Sequence, residues 1–179
     1  DVSVEYAEGV RITEDSVFTD DPQPHLGGSR SFTRWNADRV VRADSASNRR
    51  RIREAVELAQ ESDLAIVAIG GNEQTSREAW AESHLGDRTS LTPVGPQEEL
   101  VREVRGTGTP TVTFLNHGRP FAIPELVEDV PALRDGWYLG QETGRAVADV
   151  LFGEVNPSGH LPVTIPRSIG QLPLFYNHK

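Results

Sequence analysis

The sequence contains no cysteine. That removes disulfide frameworks, thiolate nucleophiles and cysteine-based metal centres together. Histidine does not fill the gap. His25, His84, His117, His160 and His178 are scattered, with no pair four residues apart and no HExxH. No structural metal and no cofactor are expected. Positive charge is also scarce: 18 Lys and Arg against 27 Asp and Glu leave a net charge of −9. A phosphate backbone needs a basic face, so nucleic acid is excluded as the main partner. The dense basic run, Arg49, Arg50, Arg51 and Arg53, has Glu54 and Glu57 beside it and reads as a solvated helix face. Apolar runs fall far short of the ~20 residues that span a bilayer, so no membrane partner is expected either. There is no GxSxG, and "IGGNEQTS" (69–76) lacks both the third glycine of GxGxxG and a P-loop lysine. No signal peptide is visible, and Asp1 opens straight into the alternating "VSVEYAEG", as in a chain cut from something longer.

What is present has the size and composition of one soluble domain spanning 1–179, with 36% apolar and 25% charged residues. Residues 1–12 alternate as a strand does, with Val2, Val4 and Tyr6 on one side. Residues 19–48 are rich in turn formers. Residues 48–61 place Ile52, Ala55, Val56 and Ala59 at helical spacing, with Asn48 as a fair N-cap. "LAIVAIG" (64–70) is a continuous apolar run, expected of a strand covered on both faces. A second helix is expected over 95–108, with Leu100, Val101 and Val104 as its stripe, Pro96 in its first turn, and Gly106 and Gly108 at its exit. "TPTVTFLNHG" (109–118) reads as a strand and 131–140 as another running into a loop. A helix over 141–154 carries Ala146, Val147, Val150 and Leu151 on one face and ends at Gly153. The rest is proline-rich and extended. Alternating strands and helices predict an α/β fold: a mainly parallel sheet flanked by helices, an α/β sandwich of flavodoxin-like layout. In such folds ligands bind beyond the carboxyl ends of the strands.

That edge receives "SREAWAESHLGDR" (76–88), which packs two arginines, two glutamates, an aspartate, a histidine and a tryptophan into thirteen positions. The loops at "NHGRP" (116–120) and after Trp137 are expected on the same edge. With the other chemistries excluded, carboxylate chemistry remains. If 76–82 is helical, Glu78 and Glu82 share a face. Held beside Trp80, a carboxyl group can stay protonated and serve as a general acid. On spacing alone, the better reading of the same residues is a surface network in which Glu78 and Glu82 pair with Arg77 and Arg88. Arg119 reads as a brace for the loop or for a neighbouring domain. Trp137 and Tyr138 read as core packing, and Asp87 and Arg88 as an ion pair pinning the loop.

The segments "TSREAWAESHLGDRTSL" and "GRP", followed by "ADVLFG", "NPSG", "LP", "PRS", "GQLP" and "YNH" in that order over 137–178, resemble the C-terminal α/β-sandwich domain of glycoside hydrolase family 3. That family holds β-glucosidases, β-xylosidases and related exo-acting glucanases. The resemblance implies a retaining, two-carboxylate mechanism acting on a β-linked oligosaccharide or glycoside. Its aspartate nucleophile comes from a TIM-barrel domain that this sequence does not resemble. The acid/base is a glutamate of the loop ahead of "DR", which is Glu82, with Glu78 as runner-up. Trp80, His84 and Arg88 are the implied substrate-binding residues. Gly71, His117 and His160 depart from the acidic residue, asparagine and lysine common at those places. The polymer-degrading role implies a secreted or periplasmic home. The alternative is a non-catalytic carbohydrate-binding or domain-interaction module of the same fold. A third option, a flavodoxin-like nucleotide or flavin binder, requires a bound cofactor.

Overall fold

The computed structural model describes residues 2–14, 41–76, 78 and 86–177. Three strands form one parallel sheet in the order β1 (Ala65–Gly70), β2 (Thr111–Asn116), β3 (Leu133–Asp135). Its register pairs Val67 with Thr113 and Ile69 with Leu115, then Thr113 with Leu133 and Leu115 with Asp135. The helices are α1 (Ser45–Gln60), α2 (Glu73–Ser76), α3 (Gln97–Gly106), α4 (Pro124–Asp129) and α5 (Thr143–Leu151). The parallel α/β architecture is the one expected.

The core forms on one face of the sheet. Val67, Ile69 and Leu115 meet Ile52 and Ala59 of α1, Leu100, Val101 and Val104 of α3, and Leu126 of α4. Successive right-handed crossovers put α3 and α4 on the same side of a parallel sheet. The stripes read for α1 and α3 therefore face this core, and each fully buried Ile, Leu or Val among them contributes about 1.5–3 kcal/mol. The opposite face is less covered. Ile66 remains 49% exposed, so β1 is covered on one face rather than both.

Residues 2–12 form no strand. Val2, Val4 and Tyr6 are exposed, and among the described residues the ladder contact of this segment is the bridge between Thr13 and Arg42. Tertiary ties decide here over alternation. Asn48 accepts from Arg11 N at 2.9 Å and donates to Arg11 O at 3.0 Å, fixing the segment against α1. Asn48 is thus a buried clamp, and the N-cap is Asp44, whose carboxylate accepts from Ser47 N at 2.7 Å. That backbone N–H first, then the Ser47 hydroxyl and the Ala46 N–H, holds the Asp44 carboxyl below its usual value. Arg51 leaves the basic run to bind Glu8 at 2.7 Å, while Arg49, Arg50 and Arg53 stay exposed as expected.

The strand expected over 131–140 stops at Asp135. A Cβ on Gly136 would meet the Phe114 ring at 2.4 Å, and Trp137 adopts φ 52°, so the chain turns away. Helix α5 forms, but none of its side chains is buried, and Phe152, Leu161, Phe175 and Tyr176 beyond it are also exposed.

Gln97 ties α3 to the end of β1. Its side chain accepts from Gly70 N at 2.6 Å and donates to Gly70 O at 2.9 Å and Val94 O at 2.8 Å. Gly70 itself must be glycine, since a Cβ would lie 1.8 Å from the Asn116 carbonyl oxygen. Truncation of Gln97 to alanine removes the side-chain partner of three backbone groups, and Gln97→Ala should cost about 2–4 kcal/mol in urea unfolding. A cost below about 1 kcal/mol would show that water replaces the amide.

Candidate active site

Three strand ends converge at the carboxyl edge of the sheet: Gly70 to Asn72, Asn116 to Arg119, and Asp135 to Tyr138. Side chains from the second and third ends hold the first. The Tyr138 hydroxyl donates to Gly71 O at 3.2 Å and lies 3.2 Å from Ser76 Oγ. Gly118 leaves room for that ring, because a Cβ there would sit 2.6 Å from it. Tyr138 is therefore a half-exposed tie rather than a core residue.

Arg119 makes the central contact. Its Nη2 lies 3.0 Å from Ser76 O, 2.8 Å from Gly86 O and 3.0 Å from Glu78 Oε1. One amino group carries two protons, so the three oxygens share them. The Arg119 side chain is only 12% exposed, and carbonyls and a carboxylate compensate the charge. It sits beside Pro120 and ahead of the buried Phe121, Ala122 and Ile123, a rigid root. The bracing role read for Arg119 is thus present in the geometry.

Helix α2 ends at Ser76, so Glu78 is not helical. Among the described residues its partner is Arg119, and its side chain is 70% exposed. Such an exposed pair contributes little to stability. Glu82, Trp80 and His84 lie outside the described residues. Arg88 follows Gly86 at the near end of a cleft of about 430 Å³ that also takes in Arg42, Ser90 and Thr92. Burial, then the like charges of Arg119 and Arg42, pushes the Arg88 guanidinium below its usual value, although an arginine stays protonated there.

His117 and Trp137 turn inward. His117 is 1% exposed, its Nε2 lies 3.0 Å from Asp135 Oδ1, and its ring packs 4.8 Å from those of Phe121 and Trp137. The same Asp135 oxygen accepts from Trp137 N at 3.3 Å. This pair supports the β2 and β3 ends, and sequence reasoning marked His117 only as an unusual residue before Gly-Arg-Pro. Alternation along "TVTFLNH" does place His117 on the same face as the buried Leu115, a signal that could have found it. Among the described residues no cluster of His, Asp and Glu can hold a metal ion, and no helix is long and apolar enough to cross a membrane.

The model of the glycosyl hydrolase family 3 C-terminal domain matches residues 6–179. The chain belongs to glycoside hydrolase family 3. A periplasmic β-glucosidase of Salmonella typhimurium is 34% identical over 173 residues, covering 97% of this chain and 20% of that protein. A β-xylosidase of Formosa agariphila is 39% identical over 123 residues, covering 69% of this chain and 16% of that one. A solved β-glucosidase structure from Erythrobacter marinus superposes with a TM-score of 0.80 at 44% identity, over 96% of this chain and 22% of that chain. This family 3 domain thus spans about one fifth of the length of these relatives.

Proposed function

We infer that this domain supplies the general acid/base of a retaining, exo-acting β-glycosidase of the β-glucosidase or β-xylosidase type, and that Glu82 is that residue. The carrying observation is the grip of Arg119 on Ser76 and Gly86, which anchors both shoulders of the segment holding Glu82 at the carboxyl edge of a parallel sheet. The names of the family relatives, β-glucosidase and β-xylosidase, support the same reaction. The other carboxylate, an aspartate nucleophile, belongs in this reading to a TIM-barrel domain elsewhere in the parent protein. Protonated Glu82 gives its proton to the glycosidic oxygen while the aspartate attacks the anomeric carbon, and the aglycone leaves as an alcohol. Glu82, now a carboxylate, takes a proton from water, which displaces the aspartate and releases the sugar with its β-configuration. In this reading Trp80, His84 and Arg88 bind the substrate. The periplasmic relative supports a secreted or periplasmic home.

Product stereochemistry tests the mechanism. NMR spectra taken in the first minutes of hydrolysis by the full-length parent should show the β-anomer before mutarotation. An α-anomer appearing first would mean an inverting enzyme, with its carboxyl groups about 6.5–9.5 Å apart and a different role for Glu82.

A further inference from the structure

We propose that Arg119 is a positioning residue for the acid/base, fixing the loop of residues 76–88 so that its glutamate meets the glycosidic oxygen. This rests on the reading of Glu82 given above. A structural tie alone needs one anchor on a loop. Arg119 instead takes the carbonyl before the segment, Ser76 O at 3.0 Å, and the carbonyl after it, Gly86 O at 2.8 Å, on a single nitrogen. The two ends are thereby held within one guanidinium width of each other. Glu78 Oε1, on the same nitrogen at 3.0 Å, adds a third point inside the loop. The guanidinium is almost wholly covered and is rooted next to Phe121, Ala122 and Ile123, so its placement follows the core rather than the solvent. Tyr138, on Gly71 O and near Ser76 Oγ, steadies the upstream end from the β3 side. Rigid placement is what a proton donor requires, because misplacement by about 1 Å costs on the order of 10²-fold in rate.

The test is a split in kcat/KM, which reports the glycosylation step. In the full-length parent, Arg119→Ala should lower kcat/KM on a β-linked disaccharide by about 10–10²-fold. On the matching 2,4-dinitrophenyl β-glycoside, whose leaving group needs no proton, kcat/KM should change less than about 3-fold, since only the proton-transfer contribution is lost. A residue that merely kept the protein folded would lower both by one factor, because it changes only the amount of active enzyme. Arg119→Lys keeps the charge and one point of contact and should recover part of the disaccharide rate. Equal losses on both substrates, or none, overturn the proposal. Should Arg119→Ala fail to fold, Arg119→Lys is read by the same split, and its absence is equally decisive. Glu82→Ala measured in parallel separates the two readings. If Glu82→Ala shows the split and the Arg119 variants do not, the positioning role falls alone. If Glu82→Ala shows none, the assignment of Glu82 falls, whatever Arg119 does.

Discussion

Glu82→Ala in the full-length parent should reduce turnover of a β-linked disaccharide by about 10²–10⁴-fold while leaving the glycosylation step of an activated aryl glycoside nearly intact. A sugar alkoxide is a poor leaving group and departs only as it is protonated. A dinitrophenolate departs without help. The second step then becomes limiting for the activated substrate, because water has lost its base. Azide needs no deprotonation. Adding it should restore turnover of Glu82→Ala and yield a β-glycosyl azide, the configuration reporting attack on a glycosyl-enzyme intermediate. Glu78→Ala should show no azide response, since the Glu78 carboxylate is exposed and engaged by Arg119. An exchange of behaviour between the two variants would make Glu78 the acid. Full disaccharide activity in both, with no rescue of either, would leave the loop as a scaffold and favour the non-catalytic module.

The fold was legible where a signal was local and repeated. The stripes of α1 and α3 and the β2 alternation each recur several times within one element, and burial follows them. The misreadings came where one long-range contact outweighs local pattern. Alternation over residues 2–12 makes no strand, because Asn48 takes the Arg11 backbone and the segment has no ladder partner before Thr13. The strand expected to run into a loop over 131–140 does so: β3 ends at Asp135, and the chain turns at Gly136, which lies against Phe114. At the candidate site the residue types and the sheet edge were readable, since a carboxyl end followed by a charged cluster is a pattern in sequence. The grip of Arg119 was readable only as a general brace. A single side chain binding two carbonyls ten positions apart leaves no periodic trace, and the carbonyls carry no residue identity at all. Tyr138, which looked like packing, acts through its hydroxyl for the same reason.

The largest effect of all is expected from this chain alone: the purified 179-residue domain should have no measurable β-glycosidase activity. A retaining glycosidase needs two carboxyl groups about 5–5.5 Å apart across one anomeric carbon. At the carboxyl edge two of the described carboxylates have partners already, Glu78 in Arg119 and Asp135 in His117. In the proposed arrangement the nucleophile opposite Glu82 comes from the TIM-barrel domain, not from this one. The surface fits the same view. Helix α5 buries none of its apolar side chains, and Leu161, Leu172, Phe175 and Tyr176 stand exposed along the segment after it. Exposure of so many apolar side chains suits a face that the proposed barrel domain covers. Mixing the domain with the remainder of the parent chain, produced separately, should restore hydrolysis in proportion to complex formed. The Glu82→Ala domain should restore none of the disaccharide activity while still binding, which separates docking from chemistry. Hydrolysis of an aryl β-glucoside by the isolated domain, above a mock-purified control, would show that both carboxylates lie within it. The division of the active site between two domains would then be wrong.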